Sequence, residues 1–178
     1  ATAKDFDDAV FAQSLGGQKG WRLVVAIADV ANYVKPRSAL DNEAAERTTS
    51  VYLPGHVVPM LPEAISNELC SLKPNVHRLA LVCDMQVSRK GMVRTFTFYD
   101  ALIRSHGRLT YEEVQAHIDH KALLPCRDED RAAVNKSVAA LAEVHEAFRG
   151  AKDERGGLDF DSREGFIDIE QGHVTGVQ

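Results

Sequence analysis

The stretch "WRLVVAIADVANYV", Trp21 to Val34, constrains this chain more than any other. It is apolar almost throughout and rich in β-branched residues. A strand without polar alternation has both faces covered, so the run predicts a central strand in a sheet packed on two sides. Asp29 interrupts it. An acid there is either a strand-end residue held by backbone hydrogen bonds or part of a site, and the first reading is favoured because buried polar groups are usually satisfied structurally.

The other elements fall around that strand. "SALDNEAAERTT" reads as a short helix capped near Ser38 or Asp41. "SVYLPGHVVPMLPEAISNELCSLKP" supplies a brief strand, a proline-punctuated loop and a helix from about Pro62. From His77, "HRLALVCDMQVSRKGMVRTFTFYDALIRSH" gives two strands around a Lys90-Gly91 turn, an antiparallel hairpin. "TYEEVQAHI" follows as a helix with Thr110 and Glu113 in a capping box. A long helix is expected from Glu129 to Glu154, with Val134, Val138, Leu141, Val144 and Phe148 on one face and Gly156 and Gly157 as its stop. Strands and helices in this irregular order predict an α+β fold with a mixed, mainly antiparallel sheet, and no repeat or linker marks a domain boundary.

At 178 residues and 44% hydrophobic, the chain can bury a core as one domain. No apolar run has membrane-spanning length and no signal pattern opens the chain, so an intracellular, cytoplasmic protein is expected. Cys70, Cys83 and Cys126 are widely spaced and suggest reduced thiols rather than a disulfide framework or zinc site. The net charge of −5 argues against nucleic-acid binding by bulk electrostatics; any such binding must be local or supplied elsewhere.

Near the start stands "DFDDAV", Asp5 to Val10, with acids at Asp5, Asp7 and Asp8. Like charges this close repel, and Phe6, Ala9, Val10 and Phe11 would draw them towards the core. A divalent cation would compensate. Hard carboxylate oxygens suit Mg²⁺ or Mn²⁺, and Mg²⁺ usually takes only one or two from the protein, which fits phosphoryl chemistry. The plain alternative is a solvated acidic turn before a strand. Glu113, His117 and His120 share a helix face, yet a polar helix face alone produces that spacing. Neither nucleotide-binding glycine loop is present, nor a nucleophile elbow. Tyr52 and Phe160 lie at loop edges, where an aromatic is either core or a platform for stacking single-stranded bases.

Taken together, "AKDFDDAV", "GWRLVVAIADVANYV", "SVYLPGHVVPMLPEAISNELCSLKP", "RLTYEEV" and "RGGLDF" resemble, in order and along nearly all of the chain, the catalytic (RNB) domain of the ribonuclease II and ribonuclease R family. Ribonuclease R-like members fit best. The resemblance implies a hydrolytic 3′→5′ exoribonuclease that releases nucleoside 5′-monophosphates from single-stranded RNA, with Mg²⁺ or Mn²⁺ as cofactor. It carries Asp5, Asp7 and Asp8 onto the last three acids of the family's four-aspartate site, with Asp5 and Asp8 as metal contacts and Asp7 nearest the reacting phosphate or terminal ribose. Tyr52 matches the tyrosine that stacks on the terminal base, and Phe160 the aromatic at the other end of the stacked run.

The same resemblance places the family's first aspartate six residues before Asp5, and a glutamate-bearing helix and an arginine beyond Gln178. It implies that residues 1–178 are one partial catalytic domain of a monomeric enzyme, inactive or nearly so alone, with cold-shock and S1 domains outside them. Thr48 stands where glycine is expected and His77 where an acid is usual. The competing reading is a non-catalytic RNA-binding or scaffold relative.

Overall fold

A computed structural model describes residues 5–53, 56–158, 167–170 and 173–177. The elements run β1 (Asp8–Ser14), β2 (Trp21–Ala28), α1 (Val30–Tyr33), α2 (Ala39–Arg47), β3 (Val51–Leu53), β4 (His56–Val58), a π-helix (Ala64–Leu69), β5 (His77–Val87), β6 (Val93–Arg104), α3 (Tyr111–His120), α4 (Asp128–Glu154), β7 (Ile167–Glu170) and β8 (His173–Val177). The fold is α+β. An antiparallel four-stranded sheet in the order β1-β2-β5-β6 forms the frame, and β3-β4 and β7-β8 are separate two-stranded hairpins.

The predicted central strand is β2, but it stops at Ala28 rather than continuing to Val34. Asp29 ends it by capping: its side chain accepts the Asn32 N–H at 3.1 Å and starts the turn α1. Full double cover is also corrected. Trp21 and Leu23 are buried under α4 with Val87, Ala140 and Val144, while Ala26 and Ala28 are buried on the opposite face. Arg22 and Ile27 stay exposed, so each face is covered along only part of the strand. Val10 and Phe11 of the edge strand β1 are likewise exposed, against the expectation that they join the core.

Most helix signals act where their residues stand. Ser38 Oγ accepts the Asp41 N–H at 3.1 Å at the start of α2. Thr110 and Glu113 form the reciprocal capping box of α3. Pro62 O accepts from Ile65 N and Ser66 N, opening a helical segment that widens to π geometry when Cys70 N reaches back to Ile65 O. In α4, Val138 and Val144 are buried and Leu141 and Phe148 pack beside them, and Gly156 at φ 73° ends the helix.

The antiparallel register gathers one set of ends. Asp8 pairs with Ile27, Ala28 with Ala80, and His77 with Arg104, so the acid loop, the excursion of residues 29–76 and the chain beyond Arg104 all leave from one end of the sheet. The opposite end carries short turns, closed by Leu15 N to Gly20 O and Ser88 N to Met92 O at 2.9 Å each.

Candidate active site

The acids sit where the chain enters that open end, and the backbone around Phe6 is pinned on two sides. The Phe6 N–H donates to Ser71 Oγ at 3.1 Å, Leu72 N–H donates to Phe6 O at 2.8 Å, and Ala28 N–H donates to Asp7 O at 2.8 Å. The Phe6 ring packs against buried Ala28, Cys70 and Leu72, and the Arg108 guanidinium lies 5.2 Å above it. Phe6 is thus drawn inward as its composition demands, while Asp5 is half-buried and Asp7 and Asp8 are exposed.

This placement leaves the carboxylates in conflict. Burial pushes the Asp7 carboxyl above the usual carboxylate range, and the neighbouring charges of Asp5 and Asp8 push it further. Asp7 is exposed as a whole residue, yet its carboxyl group is crowded enough for desolvation to lead. All three influences disfavour the ionised form, and a bound cation would act in the opposite sense. The donor set therefore fits a hard divalent ion held by one or two carboxylates. Among the described residues no group of three or more His, Cys, Asp or Glu forms a ready-made metal cage.

Asp29 is a strand-end residue: besides capping α1, its N–H donates to Leu79 O at 3.1 Å. The Cys70 thiol is pushed up by burial, then by the charges of Asp29 and Asp7, which makes it an inert core thiol. Glu113 and His117 are spent on local hydrogen bonds: Glu113 Oε2 accepts from Thr110 N at 2.8 Å, and His117 Nδ1 lies 2.7 Å from Ala122 O. Tyr52 projects from β3 with 69% of its surface exposed, pairing through its backbone with Val57 of β4. Phe160 lies outside the described residues.

Sequence reasoning missed three supporting residues. Ser71 grips Phe6, Arg108 covers its ring, and the Arg78 guanidinium donates to Glu68 O, Ser71 O and His77 O at 3.0–3.1 Å, bracing the segment that carries Ser71. An open pocket of about 420 Å³ lies beside them, bordered by Phe6, Asn67, Lys73 and Arg108.

A family profile described as "RNB domain" matches residues 1–178. This chain belongs to the RNB family. Among curated RNB relatives, Ribonuclease R of Escherichia coli (strain K12) is 48% identical over 162 residues, covering 91% of this chain and 19% of that protein. The structure of Mycoplasma genitalium RNase R in complex with ribose methylated single-stranded RNA superposes with a TM-score of 0.91 at 35% identity, covering 99% of this chain and 27% of that one. The structure of yeast Ssd1, a pseudonuclease, superposes with a TM-score of 0.64 at 17% identity over 83% of this chain and 17% of that one, and shows the shared fold alone. The chain thus spans about a fifth of the length of the curated relative it matches.

Proposed function

We propose that this chain is catalytic-domain sequence of a hydrolytic exoribonuclease that shortens single-stranded RNA from its 3′ end and releases nucleoside 5′-monophosphates. The observation that carries this reading is the acid loop: Asp5, Asp7 and Asp8 stand within four residues where the chain enters the open end of the sheet, with the charges of Asp5 and Asp8 bearing on Asp7, in a chain matched along its whole length by the RNB family. The relatives named Ribonuclease R, one solved with single-stranded RNA, support the substrate class.

Asp5 and Asp8 would hold Mg²⁺ or Mn²⁺. When bound, such an ion supplies a Lewis acid and an acidified water for attack on a phosphodiester. Asp7, pinned through its carbonyl to Ala28 N–H, keeps a carboxylate beside that point and orients the terminal ribose or the reacting phosphate. Tyr52 offers an exposed ring on which the terminal base stacks, with Phe160 proposed at the far end of the stacked run. Stacking accepts any base, which suits degradation that ignores sequence. The net charge of −5 leaves most phosphate neutralisation to sequence outside this segment. The enzyme is proposed to act as a monomer in the cytoplasm.

The experiment is digestion of 5′-labelled single-stranded RNA by the full-length protein, with Mg²⁺ or EDTA, beside Asp7→Asn. A ladder shortening from the 3′ end that requires both Mg²⁺ and Asp7 is expected. RNA binding without shortening would instead favour a non-catalytic scaffold, a reading the fold permits because a pseudonuclease shares it.

A further inference from the structure

We infer that Ser71 is a positioning residue for the acid loop, acting through the backbone of Phe6, with Arg108 as the outer half of the same clamp. This inference rests on the ribonuclease reading for its kinetic half only.

Asp5 and Asp7 flank Phe6, so whatever fixes Phe6 fixes where both carboxylates begin. The pairing with β2 reaches only as far as Asp7, whose carbonyl takes the Ala28 N–H, and leaves Phe6 and the approach to Asp5 to other contacts. Three contacts serve there. Ser71, fully buried, accepts the Phe6 N–H at 3.1 Å across 65 residues of sequence. Leu72 N–H donates to Phe6 O at 2.8 Å, so two adjacent residues of one segment hold both backbone polar groups of Phe6. Arg108 then lies over the ring at 5.2 Å, while the ring also packs against the cluster of Cys70 and Leu72.

The clamp is itself braced. Ser71 O accepts from Arg78 Nε at 3.0 Å, and the same nitrogen reaches Glu68 O at 3.1 Å, which fixes the turn behind the π-helix against the start of β5. Carboxylates that repel one another will spread if their backbone is released. A hydroxyl that holds the backbone between them therefore sets the spacing offered to a cation. Removing such outer support typically costs about 10- to 100-fold in metal affinity or activity.

The test uses the full-length protein and two variants, Ser71→Ala and Arg108→Gln, the second at an exposed position where folding is not at stake. Thermal unfolding gives the folded fraction, calorimetry gives Mn²⁺ affinity per folded molecule, and RNA digestion gives kcat and KM. The expected result is Mn²⁺ affinity lowered about tenfold or more in Ser71→Ala and less in Arg108→Gln, with kcat reduced, KM for RNA unchanged, and lost rate partly restored by raised Mn²⁺. A merely structural serine would lower activity only in proportion to folded protein. Wild-type Mn²⁺ affinity in both variants overturns the inference. If Ser71→Ala does not fold, Arg108→Gln decides alone. If the wild-type protein binds Mn²⁺ but cleaves no RNA, the ribonuclease reading fails, and weakened Mn²⁺ binding in the variants still upholds the clamp.

Discussion

The indole N–H of Trp21 donates to Glu143 Oε2 at 2.8 Å, joining the first residue of β2 to the middle of α4. Arg89 stacks over the same ring at 4.3 Å and also reaches Glu143 at 3.5 Å. Trp21 is only 3% exposed, so its N–H has little access to water as a substitute partner. Glu143→Ala is therefore expected to cost about 1–3 kcal/mol, and Glu143→Gln, which keeps an acceptor oxygen, distinctly less. Equal losses in urea unfolding would show that charge rather than the hydrogen bond matters there.

Arg22 and Asp84 form a forked pair across β2 and β5, with Nε at 3.0 and 3.1 Å from the two carboxylate oxygens, and Tyr99 adds a hydroxyl at 3.3 Å. The Arg22 hydrogen bond, ahead of its charge, holds the Asp84 carboxyl below the usual range. A carboxyl depressed in the folded state contributes stability above its unfolded pKa and loses it as pH falls through the folded one. The stability difference between the wild type and Asp84→Asn should be constant at neutral pH, begin to fall below about pH 4, and be lost as the pH drops through the lower folded value. Because Arg22 is 44% exposed, solvent screening limits the difference to about 1 kcal/mol or less.

Two glycines should respond with opposite sign. Gly20 has φ +83°, and a Cβ there would lie 2.0 Å from Val87 O, so Gly20→Ala is expected to destabilise by roughly 2 kcal/mol or more. Gly150 lies inside α4 with nothing within 4 Å of an added Cβ, so Gly150→Ala is expected to stabilise by about 0.5–1 kcal/mol. Thermal denaturation of the two variants beside wild type decides both signs.

Tyr52 is 69% exposed on a hairpin outside the main sheet, so Tyr52→Ala should leave unfolding unchanged. If the ring stacks on the last base, its loss removes about 1–3 kcal/mol of grip on short RNA and changes the length of the final undegraded product. Unchanged end products in the digestion assay would remove Tyr52 from the site.

What could be read from sequence was local. The capping box at Thr110 and Glu113, the β5-β6 hairpin and the glycine stop of α4 depend on residues a few places apart, and each stands as its pattern implies. The run at Trp21 misled by its length, because apolar periodicity does not distinguish a strand from the short helical turn that Asp29 caps. The acid triplet was visible, but not its support. Nothing near Phe6 in sequence points to Ser71, and the hydroxyl of a serine in "CSLKP" carries no spacing signal. Likewise, the half cover of β2 arises because α4 crosses only the Trp21 end of that face, a matter of tertiary placement.

The order β1-β2-β5-β6 also separates contacts that are local in the chain from contacts that are not. β1 with β2, and β5 with β6, are each hairpins of neighbouring strands, cheap to close. Joining them requires the excursion of residues 29–76 to close, and only then can Ser71 meet Phe6 across 65 residues. The carboxylate loop thus hangs on a long-range closure, and its backbone amides are expected to exchange with heavy water sooner than that of Val82, buried in the middle of the frame.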